Sequence, residues 1–209
     1  MYRASHVKAE KNLKTRVSMI LSERIYLRRF LDTDWRDLYE YLSLESVVRF
    51  EPYDPFTEKD CIEAARERQQ QMSFWAVCLR SSEKMIGNLY FEPCQPEDYG
   101  NWKLGYVFNP VFGKKGYALE SCRALLNEGF TSFRVRRVVA YCDPENRPSW
   151  RLLERLGMRR EGHLRQNVFF KKDSDGNPVW KDTYEYAILA DEWNTLSKAP
   201  STSFLPPII

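Results

Sequence analysis

The chain has 209 residues, of which 43% are hydrophobic, 29% charged and 14% aromatic; this is enough to bury a core and excludes a disordered or fibrous chain. No run approaches the roughly 18 uncharged apolar residues of a membrane span, and five cysteines without a close-spaced pair point to reduced thiols in a cytoplasmic protein. The net charge of +3 hides a division: residues 32–101 carry fifteen acids against seven Lys and Arg, and residues 111–172 carry fourteen basic residues against six acids.

Residues 1–20 lack a steady period and read as a loose leader without the apolar core of a secretory signal. Order begins near Ser22, where Ile25 and Leu27 alternate with Tyr26 and Arg28 as in a strand. Asp32 or Thr33 then caps a helix carrying Trp35, Leu38, Tyr39 and Leu42. Prolines make residues 51–56 a loop, and a second helix over 57–72 starts from a capping box of Thr57 and Asp60. Strands are predicted over 74–79, 84–91 and 101–108. The run Gly113-Lys114-Lys115-Gly116 leads into a helix over 117–132 with Ala118, Cys122, Leu125, Leu126, Gly129 and Phe130 inward. A strand over 135–142, a short helix over 148–156 stopped by Gly157, and a hairpin of 167–172 with 183–189 follow. One mixed α/β domain over 21–196 results, with a proline-containing tail over 197–209.

An acidic half suits cations and a basic half anions, so the division fits either two solvated faces or a site with one substrate of each sign. With His6 and His163 the only histidines, a multi-histidine metal centre is excluded and no metal is expected. The loop before Tyr117 is the anion candidate. A helix start exposes unpaired N–H groups and partial positive charge, which a glycine approach opens to phosphate. Gly116 and Ala118 keep the approach clear, and Lys114 and Lys115 add charge. The spacing matches neither the P-loop nor the dinucleotide pattern, and an ordinary turn into a helix has the same form.

Residues 22–28, 86–89, 104–108, 112–120 and 143–162, the last with an Asn146-x-x-Ser149 start and a Leu156-Gly157-Met158 stop, occur in a telling order. Over residues 22–193 the chain resembles the GNAT superfamily of acetyl-CoA-dependent N-acetyltransferases, and within it the branch of ribosomal-protein amino-terminal acetyltransferases. The resemblance implies a GNAT fold, a central twisted mixed sheet splayed open between two parallel strands and flanked by helices. Acetyl-CoA would lie in the V between the strand ending at Phe108 and the one ending at Cys142. Main-chain atoms of Tyr106, Val107 and Phe108 would pair with the pantetheine arm. N–H groups of Lys114, Lys115, Gly116, Tyr117 and Ala118 would take the pyrophosphate, and Asn146 and Ser149 would meet the pantetheine and thiol end. Where the family usually opens this loop with Gln or Arg followed by Gly, this chain has Gly113 and Lys114, and Leu153 replaces a Tyr that assists the departing thiolate in many relatives.

Ser149 is then the expected acid, set against a plain first-turn role. Glu51, Glu92 and Asp182 are candidate bases that no spacing tells apart. Trp75, Tyr90, Trp102 and Trp180 would floor an acceptor pocket or pack in the core. His163 reads as structural, and Arg134, Arg136 and Arg137 as a solvated basic edge. The expected activity is direct acetyl transfer to a primary amine, a protein amino terminus or alternatively a polyamine, amino acid or aminoglycoside. A CoA-binding module without turnover and an RNA-binding domain are the readings from other classes. No membrane partner is expected, and pairing as a homodimer stays open.

Overall fold

A computed structural model describes residues 19–198; the greater part of the expected leader and tail lies outside the described residues. Alternating apolar residues build one sheet of eight strands: β1 (Met19–Leu21), β2 (Ile25–Arg28), β3 (Phe74–Leu79), β4 (Met85–Pro93), β5 (Asn101–Phe108), β6 (Arg137–Cys142), β7 (Arg159–Lys172) and β8 (Pro178–Leu189). Their order is β1-β2-β3-β4-β5-β6-β8-β7. The helices are α1 (Trp35–Leu42), α2 (Glu45–Val48), α3 (Glu58–Gln70), α4 (Tyr117–Thr131), α5 (Arg147–Arg155) and α6 (Ala190–Lys198).

The period of two in the central strands gives the sheet two clothed faces. Ile25, Leu27, Trp75, Val77 and Leu89 share a core with Cys122, Leu125 and Leu126 of α4 and Leu153 of α5. Ala76, Cys78 and Met85 instead meet Leu38, Tyr41 and Leu42 of α1 and Cys61 and Ala65 of α3. Helix α3 starts at the expected capping box, with Asp60 N bonded to Thr57 Oγ1 at 3.2 Å and Thr57 N to Asp60 Oδ2 at 2.8 Å.

The site follows from one irregularity of pairing. Strands β5 and β6 are parallel and pair only at Asn101↔Arg137, Trp102↔Val138 and Lys103↔Val139. Yet β5 stays paired with β4 out to Phe108↔Gly87, and β6 stays paired with β8 out to Cys142↔Tyr184. Each strand is therefore held by its outer neighbour while the inner edges part after Lys103, and the sheet opens as a V.

Several expectations need correction. Strand β1 begins at Met19, inside the segment read as leader, because its pairing with β2 orders three residues too few to show a period. Helix α2 has four residues, also below the length at which periodicity appears. Helix α6 runs past the expected domain end; Trp193 anchors it against Phe130, a tertiary contact with ring centroids 5.8 Å apart. Strand β7 begins at Arg159, ahead of the expected start at 167, because it is exposed along nearly all its length and the earlier part lacks the alternation that would reveal it. Arg136 is exposed as expected, its Nε donating to Tyr99 O at 2.8 Å, whereas Arg137 is drawn in from the expected solvated edge to pair with Glu161 and Glu185.

Candidate active site

The V opens toward the start of α4. Asn109 ends β5 and caps the next turn, its Oδ1 accepting from Val111 N at 3.0 Å. Gly113 then passes so near Pro110 that a Cβ would stand 2.9 Å from the Pro110 carbonyl oxygen. Gly116 adopts φ +83°, the left-handed region that other residues enter only at a cost. Glu120 N makes the first bond of α4, to Gly116 O at 3.0 Å, so the N–H groups of Tyr117, Ala118 and Leu119 precede the ladder. These donors, the helix dipole, and Lys114 and Lys115 beside them gather positive potential at the start of α4, a setting that suits an anion.

Arg24, between β1 and β2, fastens the loop from outside. Its main-chain N–H and Nε each donate to a Glu120 carboxylate oxygen at 2.7 Å, and NH1 donates to Lys115 O at 3.0 Å. The guanidinium also lies 4.7 Å from the centre of the Tyr117 ring. Burial pushes the Glu120 carboxyl up, but the bonds from Arg24 and Ser22 outweigh it and hold the group below the usual range. Arg24 and Glu120 are 96 residues apart, so no local pattern in the sequence joins them.

Farther into the V, Tyr106 reaches from β5 to α5. Its hydroxyl lies 2.9 Å from Ser149 Oγ and 3.1 Å from Ser149 O. Burial pushes the Cys142 thiol, at the end of β6, up to about 11, with the nearby Ser149 hydroxyl pulling the other way. Burial, with Cys122 adding to it, also raises Tyr106 well above its ordinary value. Both groups keep their protons at neutral pH. Asn146 caps α5 through Oδ1, which accepts from Ser149 N at 3.3 Å, and its amide NH2 is the part left for a ligand.

On the other side of the V, the loop after α2 carries Glu51, whose N–H bonds Val48 O at 2.8 Å. Burial pushes the Glu51 carboxyl up to about 7, against the pull of a Tyr53 hydrogen bond and the Arg68 charge. Its charge adds the smallest part to the upward push on the Tyr106 hydroxyl. Ion pairs stitch the surrounding loops: Arg49 to Glu145 at 3.5 Å, Lys171 to Asp54 at 3.1 Å, and Lys181 to Asp143 at 3.5 Å. The acidic and basic halves of the sequence thus meet across this mouth.

The other candidate bases have different surroundings. Asp182 is held by His163 Nε2 at 2.7 Å, Arg165 Nε at 2.9 Å and Gln166 N at 2.9 Å, so His163 has a partner that the sequence does not reveal. Glu92 lines a separate cavity of about 430 Å³, with Arg29, Trp75, Phe91, Trp102 and Phe133, at the closed end of the V. Of the aromatics, Trp75 and Trp102 line that cavity, Tyr90 packs on Phe74 at 5.0 Å, and Trp180 lies half exposed beside Phe169. Among the described residues no group of His, Cys, Asp and Glu is arranged to hold a metal ion, and no helix is long and apolar enough to cross a membrane.

A mixed sheet parted between two parallel strands, with a glycine loop and a helix start facing the gap, is the architecture of an acyltransferase that draws on a thioester carrier. A family model described as the acetyltransferase (GNAT) domain matches residues 24–159, and the chain belongs to this family. Its members use acetyl-CoA as cosubstrate. The chain is 38% identical over 176 residues, 84% of its length and 99% of the relative's, to the uncharacterized N-acetyltransferase YnaD of Bacillus subtilis (strain 168). A crystal structure of a GNAT-family acetyltransferase from Bacillus anthracis superposes with a TM-score of 0.75 at 35% identity, covering 83% of this chain and 99% of that one. The spermidine N-acetyltransferase of Vibrio cholerae, solved with CoA and spermine, shares the fold with a TM-score of 0.68 at 18% identity, over 83% of this chain and 99% of that one.

Proposed function

We propose that this acyltransferase moves the acetyl group of acetyl-CoA directly onto a primary amine, and that its acceptor is a protein amino terminus, as in the ribosomal-protein branch. The observation that carries the reading is the V itself, unpaired on its inner edges after Lys103 and facing the α4 start. In this reading the N–H groups of Lys114, Lys115, Gly116, Tyr117 and Ala118 hold the diphosphate. The free edge of β5 at Tyr106, Val107 and Phe108 pairs with the pantetheine, and the Asn146 amide donates to it. Glu51 takes a proton from the incoming ammonium, since a carboxyl lifted to about 7 accepts protons at neutral pH. The neutral amine attacks the thioester carbonyl, a C–N bond forms and the C–S bond breaks with its electron pair on sulfur. Ser149 fills the role of the missing Tyr by donating its hydroxyl hydrogen to that sulfur.

Two features favour a polypeptide acceptor. The long β7–β8 hairpin presents exposed Phe169, Phe170, Val179 and Trp180 near the mouth, apolar surface that a peptide can cover. The mouth carboxylates Glu45, Asp54, Asp143 and Glu145 are already matched by Lys171, Lys181 and Arg49, which leaves Glu51 for a single ammonium rather than a polycation.

The test is thiol release from acetyl-CoA with a panel of peptides bearing free amino termini, polyamines, amino acids and aminoglycosides. Release with peptides and none with their N-blocked forms is expected. Release with polyamines alone overturns the acceptor, and tight acetyl-CoA binding without release from any amine identifies a binding module. Ser149→Ala is expected to lower kcat about 10- to 100-fold while leaving acetyl-CoA affinity nearly intact.

A further inference from the structure

We infer that Tyr106 is a positioning residue for the transfer step: its hydroxyl, 2.9 Å from Ser149 Oγ across the V, turns the Ser149 hydrogen toward the departing sulfur. The inference rests on the proposed role of Ser149 as the donor to that sulfur.

A serine in the first turn of a helix ordinarily bonds back to its own backbone. Here a side chain outside α5, that of Tyr106, engages it. A phenol has one hydrogen to give, and this one is retained because burial and nearby groups disfavour the phenolate. Its two neighbours are Ser149 Oγ at 2.9 Å, where either oxygen can donate, and Ser149 O at 3.1 Å, which only accepts. When Tyr106 donates to Oγ, the serine's own hydrogen is free to turn toward the gap between β5 and β6 that the thioester enters. Leu153, apolar and buried, occupies the place of the Tyr that many relatives use, so the hydroxyl on β5 supplies from the opposite strand what α5 lacks.

The chemistry balances without an added reagent. As the C–N bond forms and the C–S bond breaks, the electron pair stays on sulfur, where Ser149 O–H stabilises it by hydrogen bonding and Tyr106 strengthens that donor by polarising it. Of the two protons that the ammonium nitrogen loses, one goes to Glu51 and then to solvent. The second reaches solvent, which returns one to the released thiolate.

The experiment is a double-mutant cycle of Tyr106→Phe and Ser149→Ala with the most active acceptor of the panel. Tyr106→Phe is expected to lower kcat about 10-fold with KM for acetyl-CoA within about 2-fold, and the double variant to be no slower than Ser149→Ala. A wild-type rate for Tyr106→Phe, or losses that multiply in the double variant, overturns the inference. A second measurement needs no acceptor: the ultraviolet thiolate absorbance of bound CoA followed against pH. The bound thiol is expected to ionise at lower pH than free CoA in the wild type, and at higher pH than in the wild type in both single variants. An unshifted thiol in the wild type, or no change with Tyr106→Phe, contradicts it. Absence of turnover with every amine sinks the enzyme reading alone, and the thiol titration still decides the role of Tyr106.

Discussion

At the loop end of the V, one arginine joins three pieces of chain, and its partner Glu120 is only 13% exposed; at the mouth, Arg49 and Glu145 are 64% and 62% exposed and meet at 3.5 Å. Both ends are tied by ion pairs, but burial makes them different objects. The Arg24 contacts are short, several, and partly shielded from water, so they fix the donors of the α4 start before any ligand arrives. Exposed pairs such as Arg49–Glu145 contribute about 0–1 kcal/mol each. On the proposed function, the molecule is preorganised where it would grip acetyl-CoA and loosely laced where the acceptor would enter.

The largest expected effect lies on the acceptor side. Glu51→Gln should lower kcat/KM by about 100-fold. In the wild type kcat/KM should rise with pH through about 7, as the Glu51 carboxyl loses its proton, and this limb should vanish in the variant. An identical profile in both proteins removes Glu51 as the base. Next comes the loop: Gly116→Val forces a branched side chain into φ +83°, a strain of about 1–2 kcal/mol, and crowds the donors beside it. Acetyl-CoA affinity by calorimetry should weaken on the order of 30-fold or more.

Removing the brace should cost less than blocking the site. Arg24→Ala should weaken acetyl-CoA binding about 3- to 10-fold by loosening the loop, and it should change stability in a pH-dependent way. Because the folded-state Glu120 carboxyl lies below its usual range, its contribution is present above the unfolded value of about 4.3 and is lost as pH falls through the folded one. Thermal melts of wild type and Arg24→Ala should therefore differ at neutral pH and converge in acid; a constant gap refutes the brace. The smallest effect is expected at the mouth, where Arg49→Ala should leave acetyl-CoA affinity unchanged and shift acceptor KM by about 2- to 3-fold. A large loss of stability there would erase the contrast between the two ends.

The same contrast marks what the sequence discloses. Features written in consecutive residues were legible: the α3 capping box at Thr57, the β5 span, the α4 start after Gly116, and the Asn146 cap of α5. Features made by distant residues were not. Arg24 with Glu120, Tyr106 with Ser149 and His163 with Asp182 are each brought together only by the sheet order. Glu51 stood among three equivalent carboxylates until burial singled it out, and burial is a property of packing. A small part of the charge division is matched internally, where Lys171 of the basic segment meets Glu45 and Asp54 of the acidic one. Helix α6 and the part of β7 before the expected 167–172 were missed because the first depends on Trp193 docking and the second faces solvent.

The central claim is that the opened edge of β5 and the α4 start together receive acetyl-CoA. Amide chemical shifts of the isotope-labelled protein titrated with acetyl-CoA test it most directly. The largest changes are expected at residues 104–108 and 114–118, with smaller ones at Asn146 and Ser149. Changes confined to the cavity around Trp75, Phe91 and Trp102, with those residues silent, would contradict the account.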